Sequence, residues 1–308
     1  MNTAVCTLFE GHYHYGLGAL INSLYYHGFR GVIWVGYRGA LPPWAKNLKR
    51  CQEYQEFTVA KECVIHFILL TTLAHFTNYK PDFFLQLWEH YCPDAEALFY
   101  FDPDIVIKCH WSFFEEWIMF GVALCEDTDS PVPGSHPLRM AWRRFYEPHG
   151  FSFISSVDTY VNGGFVGLTR TNKQFLHEWK RIMDLMAPAI GGLQNTRIKD
   201  RSFMFYNTEQ DGMNIAWQCS KCPSSLMGKE AMDFIPGGIT MSHAKGPINP
   251  WKKNMISQAL GGKAPRLADK CYWQNTQTPI QIYSQPWLFW KKIELRCGAA
   301  IGRFIRRN

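Results

Sequence analysis

No stretch of the 308-residue sequence reaches about 18 consecutive apolar residues, so no transmembrane helix is expected. No basic segment precedes an apolar core at the N-terminus, so no cleaved signal peptide is expected either. These absences predict a cytoplasmic protein, or one peripheral on the inner face of the cell membrane. There is no internal repeat and no low-complexity segment. Charged residues are few, 19% against 47% apolar, which is a globular and not a disordered composition. Outside the C-terminal tail there is no basic stripe, which speaks against a nucleic-acid partner. The net charge of +6 fits anionic small molecules or an anionic membrane surface. Among ten cysteines, Cys219 and Cys222 form one C-x-x-C pair with no second pair to complete a zinc site, so reduced thiols are expected.

What is abundant is aromatic: 16% of residues, twelve of them Trp. The length suffices for one large α/β domain or two small ones. Apolar runs at 3–9, 31–37, 63–70 and 97–101 read as buried strands. Between them, Leu17, Leu20, Ile21 and Leu24 keep helical spacing, as do Phe83, Phe84, Leu87, Trp88 and Tyr91 after Pro81, with Asn78 near the cap position. This alternation predicts a mainly parallel sheet flanked by helices. Further on, residues 112–120 suggest a helix and 121–125 a strand. Residues 127–137 read as a loop, and 161–168 as a turn running into a strand. Helices follow over about 172–187, ended by Gly191-Gly192, and around 209–218; a short strand over 239–242 leads into His243.

The chemistry concentrates at Ala97-Leu98-Phe99-Tyr100-Phe101-Asp102-Pro103-Asp104-Ile105-Val106-Ile107. An apolar strand ends in two carboxylates one residue apart. Buried carboxylates are costly unless paired, solvated or metal-bound. Residues i and i+2 of extended chain point the same way, so Asp102 and Asp104 can aim at one cation. Pro103 cannot donate a ladder hydrogen bond, so regular pairing should stop there. A second short apolar run delivers His243, within Ser242-His243-Ala244-Lys245-Gly246-Pro247-Ile248-Asn249-Pro250-Trp251-Lys252-Lys253. Two carboxylates and an imidazole suit Mn2+, with Mg2+ as the other candidate. Gly246 permits close backbone approach, and Lys245, Lys252 and Lys253 are candidates to meet phosphates.

Four segments together resemble a glycosyltransferase of the glycosyltransferase-A fold, most closely the retaining family 8 that includes glycogenin and bacterial lipopolysaccharide galactosyltransferases. They are the N-terminal strand, loop and helix (4–25), F-Y-F-D-P-D-I, the pair V-N-G-G-F-V-G-L (161–168) and E-Q-D-G-M-N (209–214), and S-H-A-K-G-P-I-N-P-W. The resemblance spans roughly residues 3–255. It implies a Rossmann-like α/β fold and a nucleotide-diphospho-sugar donor, most readily a UDP-sugar. It implies that Asp102, Asp104 and His243 hold the metal, and that Thr7, Phe9 and Glu10 lie near the base and ribose. Lys80 would serve base or phosphate. Asn162, Gly163 and Gly164 would contact the donor sugar, Asp211 would bind its hydroxyls, and Gln210 would lie near the anomeric carbon. Where the family ending has a lysine before Pro-Trp, this chain has Asn249, leaving Lys245, Lys252 or Lys253 to supply that charge. An inverting reaction would need a base, for which Asp158 and Asp211 are the candidates. A silent sugar-nucleotide or glycan-binding protein is the reading from another class.

The expected organisation is a catalytic domain over 1–270, with a nucleotide-binding half (1–107) and a sugar and acceptor half (108–270), followed by a tail over 271–308. The tail sets Trp287, Leu288, Phe289, Trp290, Ile293, Leu295, Ile301, Phe304 and Ile305 against Lys291, Lys292, Arg296, Arg303, Arg306 and Arg307. A basic amphipathic stretch with Trp has the composition of an interfacial helix. A final helix packed on the core with a solvated basic face is the other reading. The expected acceptor is a saccharide or lipid-linked saccharide, met by residues about 111–160.

Overall fold

The computed structural model describes residues 1–196 and 198–305; Arg306 and Arg307 of the tail lie outside them. Its strands are β1 (Thr3–Glu10), β2 (Gly31–Arg38), β3 (Lys49–Arg50), β4 (Gln55–Ala60), β5 (Cys63–Leu69), β6 (Ala97–Phe101), β7 (Ile105–Ile107), β8 (Val122–Cys125), β9 (Phe165–Thr169), β10 (Ser224–Met227) and β11 (Met241–His243). Its helices are α1 (His14–Tyr26), α2 (Lys80–Gln86), α3 (Trp111–Trp117), α4 (Pro137–Tyr146), α5 (Gln174–Met186), α6 (Thr208–Cys219), α7 (Met255–Leu260), α8 (Leu267–Gln274) and α9 (Gln285–Phe304).

Nine strands form one sheet in the order β10-β8-β9-β6-β1-β2-β5-β4-β3. The centre, β6-β1-β2-β5, is parallel, while β9 runs antiparallel between β6 and β8. Period-2 alternation explains how β1 serves two layers. Ala4, Cys6 and Leu8 enter the cluster with α2, α5 and α6, whereas Val5 and Phe9 enter the one with α1 and α3. Each fully buried aliphatic or aromatic side chain of this kind contributes about 1.5–3 kcal/mol.

Pro103 ends the regular strand as its chemistry requires. The Ile105 N–H donates to the Asp102 carbonyl at 3.0 Å, a tight turn with proline at its second position. The chain then leaves the main sheet, and β7 pairs antiparallel with β11 in a separate two-stranded sheet.

Several local expectations shift. Asn78 does not cap α2; its side-chain amide donates to the Leu193 and Asn195 carbonyls, and its oxygen accepts from Thr208. The helix starts at Lys80 with Pro81 in its first turn, where a missing N–H costs nothing. After α5 a short 3-10 turn precedes Gly191, whose φ of +73° ends the run. Residues 49–60, given no strand by pattern, form the antiparallel edge β3–β4 against β5. All ten cysteines are free.

Helix α8 crosses residue 270 and is buried along one side, and α9 packs on α7. Gly298 and Gly302 allow that approach: a Cβ on Gly298 would meet the Met255 carbonyl oxygen at 2.8 Å, and one on Gly302 would meet Ala264. The Met255 N–H donates to Glu294, and the Lys291 ammonium donates to the Lys253 carbonyl. The opposite face of α9 turns outward, with Phe289 61%, Trp290 67% and Phe304 89% exposed. No helix among the described residues is long and apolar enough to cross a membrane.

Candidate functional site

The strands β1 and β6 run parallel toward the same edge, and Phe9, Glu10, Asp102 and Asp104 gather at one mouth of the sheet. Ligands of open α/β sheets sit at this edge. The β7–β11 register, which pairs His243 with Ile105, sets the imidazole beside the two carboxylates. The Ala244 N–H donates to the Asp104 carbonyl at 3.0 Å and fastens the chain beyond it. One ligand atom from each of Asp102, Asp104 and His243 lies within 4.8 Å of the others. His243 Nε2 stands 3.4 Å from Asp104 Oδ1 and 4.0 Å from Asp102 Oδ2. Burial alone would raise the Asp104 carboxyl, but His243 outweighs it and holds it below the usual carboxylate range. Burial would likewise lower His243, but Asp104, then Asp102, raise it. Two hard oxygens and one imidazole nitrogen at this spacing form a donor set that fits a divalent cation.

Asp102 is held from behind. Its N–H donates to the Gly164 carbonyl at 2.7 Å, and Tyr100 Oη donates to its Oδ1 at 2.9 Å. The Lys80 ammonium reaches the same oxygen at 3.1 Å, which leaves Oδ2 toward His243. Lys80 is 1% exposed and also meets the Gly163 carbonyl at 2.8 Å and Glu209 Oε1 at 3.2 Å. Burial alone would lower its pKa, yet Asp102 and then Glu209 outweigh burial and raise it. One ammonium thus serves two carboxylates. Burial, with Asp102 adding, pushes Glu209 up to about 7 against the pull of Lys80.

The turn before β9 supplies the facing wall. Asn162 Oδ1 accepts from the Gly164 N–H at 2.9 Å, and Gln210 Oε1 accepts from the Gly163 N–H at 3.3 Å. Gly164 has no room for a side chain, since a Cβ there would come within 2.6 Å of His243 Cε1. A cavity of about 310 Å³ opens over these groups. Of the residues singled out from sequence, Phe9, Glu10, Asp102, Asp104, Asn162, Gly164, Gln210, His243, Lys245 and Gly246 line it. Thr7 lies fully buried within β1, and Lys80 and Gly163 lie behind the wall.

Asp211 sits elsewhere. It is buried, accepts from Tyr160 Oη at 2.7 Å and from the Asn207 N–H at 2.9 Å, and so closes the first turn of α6. Glu209, not assigned a role from sequence, faces the cavity instead. Burial pushes the Asp211 carboxyl up to about 8 from an ordinary 3.8. The folded chain therefore keeps a proton that the unfolded chain has lost, and stability falls as pH rises between those values. Between pH 5.5 and 8, the native protein should lose on the order of 2–3 kcal/mol more than an Asp211→Asn variant, read from urea unfolding at both pH values.

Asp127, just beyond β8, is the second group missed. It is fully buried and accepts from Asn162 Nδ2 and from the Lys245 ammonium, the latter at 2.7 and 2.9 Å. Burial would raise it, but Lys245 and then Asn162 outweigh that and lower it. It thereby ties together two walls of the cavity. Lys253 pairs with Asp269, and Asn249 precedes the 3-10 turn Pro250–Lys252.

No family model matches the sequence, and no curated protein matches it. Among solved structures it is similar to WbbM, described as a bifunctional glycosyltransferase in its apo form, at 15% identity with a TM-score of 0.52. The similarity covers 96% of this chain and 52% of that one, so the chain spans about half the length of that protein. At this identity the likeness concerns the fold: the chain has a mixed α/β Rossmann-like architecture shared with a glycosyltransferase, and its site carries an Asp-x-Asp and His cluster suited to a divalent metal.

Proposed function

We propose that this chain transfers a hexose from a nucleotide diphosphate donor, most readily a UDP-sugar, to a saccharide or lipid-linked saccharide, with retention and with Mn2+ as cofactor. The observation that carries the reading is the convergence of Asp102, Asp104 and His243 at the strand mouth, facing the Asn162–Gly164 turn across one cavity. A divalent cation in such a donor set supplies neutralisation of a diphosphate leaving group. The protein's own groups do the rest. Phe9 and Glu10 border the cavity beside the metal ligands, where a base and ribose would lie, and Gln210 and Glu209 border the side a sugar would occupy. Lys245 lines the cavity on the side chain's pairing with Asp127, and an incoming diphosphate would compete for that ammonium. Thr7 and Lys80 support this arrangement from beneath.

The tail adds a place of work. Its outward aromatic face and its basic residues support docking on the inner membrane surface, where a lipid-linked acceptor would be met. The division into a catalytic unit over 1–270, with halves at 1–107 and 108–270, and a docking segment over 271–308 remains part of this proposal, with helix α8 running across the boundary at 270.

An inverting reaction has one observation in its favour. Glu209 lines the cavity with a carboxyl near 7, a value suited to a general base. Asp158 and Asp211 are less placed for that role, because neither lines the cavity; Asp158 accepts from the Gly134 N–H, and Asp211 from Tyr160 and the Asn207 N–H. The test is a donor screen by thermal shift with Mn2+, followed by the anomeric configuration of the product. A nucleotide sugar at 100 times its dissociation constant should stabilise by about 2.7 kcal/mol. If no nucleotide sugar raises the melting temperature, the reading fails; an inverted product transfers it to the Glu209 mechanism.

A further inference from the structure

Behind the loop that carries Lys245 lies a second cavity, of about 370 Å³. The loop is a shared wall: Lys245 and Gly246 face the metal side, and Pro247 and Ile248 face this one. Met255, Ala264 and Pro265 complete an apolar lining. Lys253, Lys263 and Arg266 stand on it together with one carboxylate, Asp269. Asp269 is 1% exposed and already engaged, by the Lys253 ammonium and by the Arg266 N–H. Arg266 Nε also stands 3.7 Å from Asp269, and its guanidinium donates to the Lys245 carbonyl. Three cations thus share one buried anion, so the lining carries excess positive charge beside an apolar floor, and Lys263 is the cation there with no carboxylate beside it among the described residues. That pairing suits a ligand with an anionic head and a hydrocarbon chain.

The position of the cavity narrows the ligand. Two of its lining residues, Met255 and Ala264, are the ones Gly298 and Gly302 of α9 pack upon. The inner face of α9 therefore buttresses the cavity, while its outer face exposes Phe289, Trp290 and Phe304. A helix of that kind lies in a lipid–water interface. We infer that the cavity between the Pro247–Ile248 loop, α7 and the 263–266 segment binds the phosphorylated head and first carbons of a long-chain lipid phosphate. Under the transfer reading, this lipid is the carrier of the acceptor, held across one loop from the donor. Binding itself does not depend on that reading.

The probe is farnesyl diphosphate below its micellar concentration, titrated calorimetrically into the full chain with EDTA, so that diphosphate cannot be captured through a metal. Inorganic diphosphate and farnesol serve as the headgroup alone and the chain alone. Farnesyl diphosphate should bind at least about tenfold tighter than either, since charge-assisted bonds and apolar burial then add. Lys263→Glu and Ile248→Asp alter exposed side chains, and each should weaken it by about tenfold with an unchanged melting temperature. Equal affinity for inorganic diphosphate would reduce the cavity to a simple anion site and overturn the inference. Equal affinity for farnesol would do so from the other side, as would binding that neither substitution alters. Lipid-phosphate binding without any nucleotide-sugar binding would sink the transfer reading and leave this site standing.

Discussion

On the proposed reading, Asp104→Asn should cut metal-dependent turnover sharply while leaving the chain folded. The substitution keeps the shape and one oxygen, but removes the charge that pairs with the cation. Loss of one electrostatic stabiliser of a developing anion costs on the order of 10²–10³-fold in kcat. Mn2+ affinity, followed by the paramagnetic signal of the free ion, should fall in parallel. A second signature comes from the metal-free protein. His243 owes its raised pKa first to Asp104, so the pair stabilises the fold while the imidazole is charged in both states, and that gain fades as pH rises through the folded pKa. The variant should therefore lose more stability near pH 6 than near pH 8. Turnover that survives with Mn2+ dependence intact would remove Asp104 from the metal centre.

Lys80→Met should produce the largest loss of stability from a single side chain in this region. The ammonium is 1% exposed and compensates both Asp102 and Glu209. Removing one partner of a buried ion pair costs about 3–5 kcal/mol, because the remaining charge stays uncompensated. Here two carboxylates would be left facing each other. Glu209, already pushed up to about 7 against the pull of Lys80, would rise further without it, so the deficit should deepen with pH and be smaller at pH 5.5 than at pH 8. Glu209→Gln in the same chain should recover part of the loss, since it removes one of the stranded charges. A double-mutant cycle on urea unfolding measures that coupling directly. Additive effects would mean that Lys80 and Glu209 do not share one energetic unit.

Much of the scaffold was legible because period-2 and period-3.6 patterns report burial. The runs at 3–9, 31–37, 63–70 and 97–101 became β1, β2, β5 and β6 with boundaries shifted by a residue or less. The hairpin of β3 and β4 was not legible. Its residues are only half buried or exposed, so no alternation marks them. The Asp-Pro-Asp element announced itself by carboxylates in an apolar setting. In the Glu209-Gln210-Asp211 run, residues two apart on a helix are turned about 200° from one another, so only one acid can face a cavity. The sequence does not say which; the choice falls to Tyr160 and the Asn207 N–H, which take Asp211 inward. The pairing of Lys245 with Asp127 is a through-space relation between two loops, invisible to any local pattern. A carboxylate two residues past the end of β8 was the one available hint.

The small sheet of β7 and β11 also bears on how the chain folds. It joins residues about 140 positions apart, and bringing such distant segments together costs loop-closure entropy before any contact rewards it. Asp102 and Asp104 are made early in the chain, but they gain their imidazole only when β11 has docked on β7. A growing chain released before His243 would hold two carboxylates and no complete ligand set. On the proposed reading, metal capture would be a late event in folding, and Mn2+ binding during refolding should follow the docking of β11 on β7. The cation would then act as a reporter of completed assembly, read without a substrate.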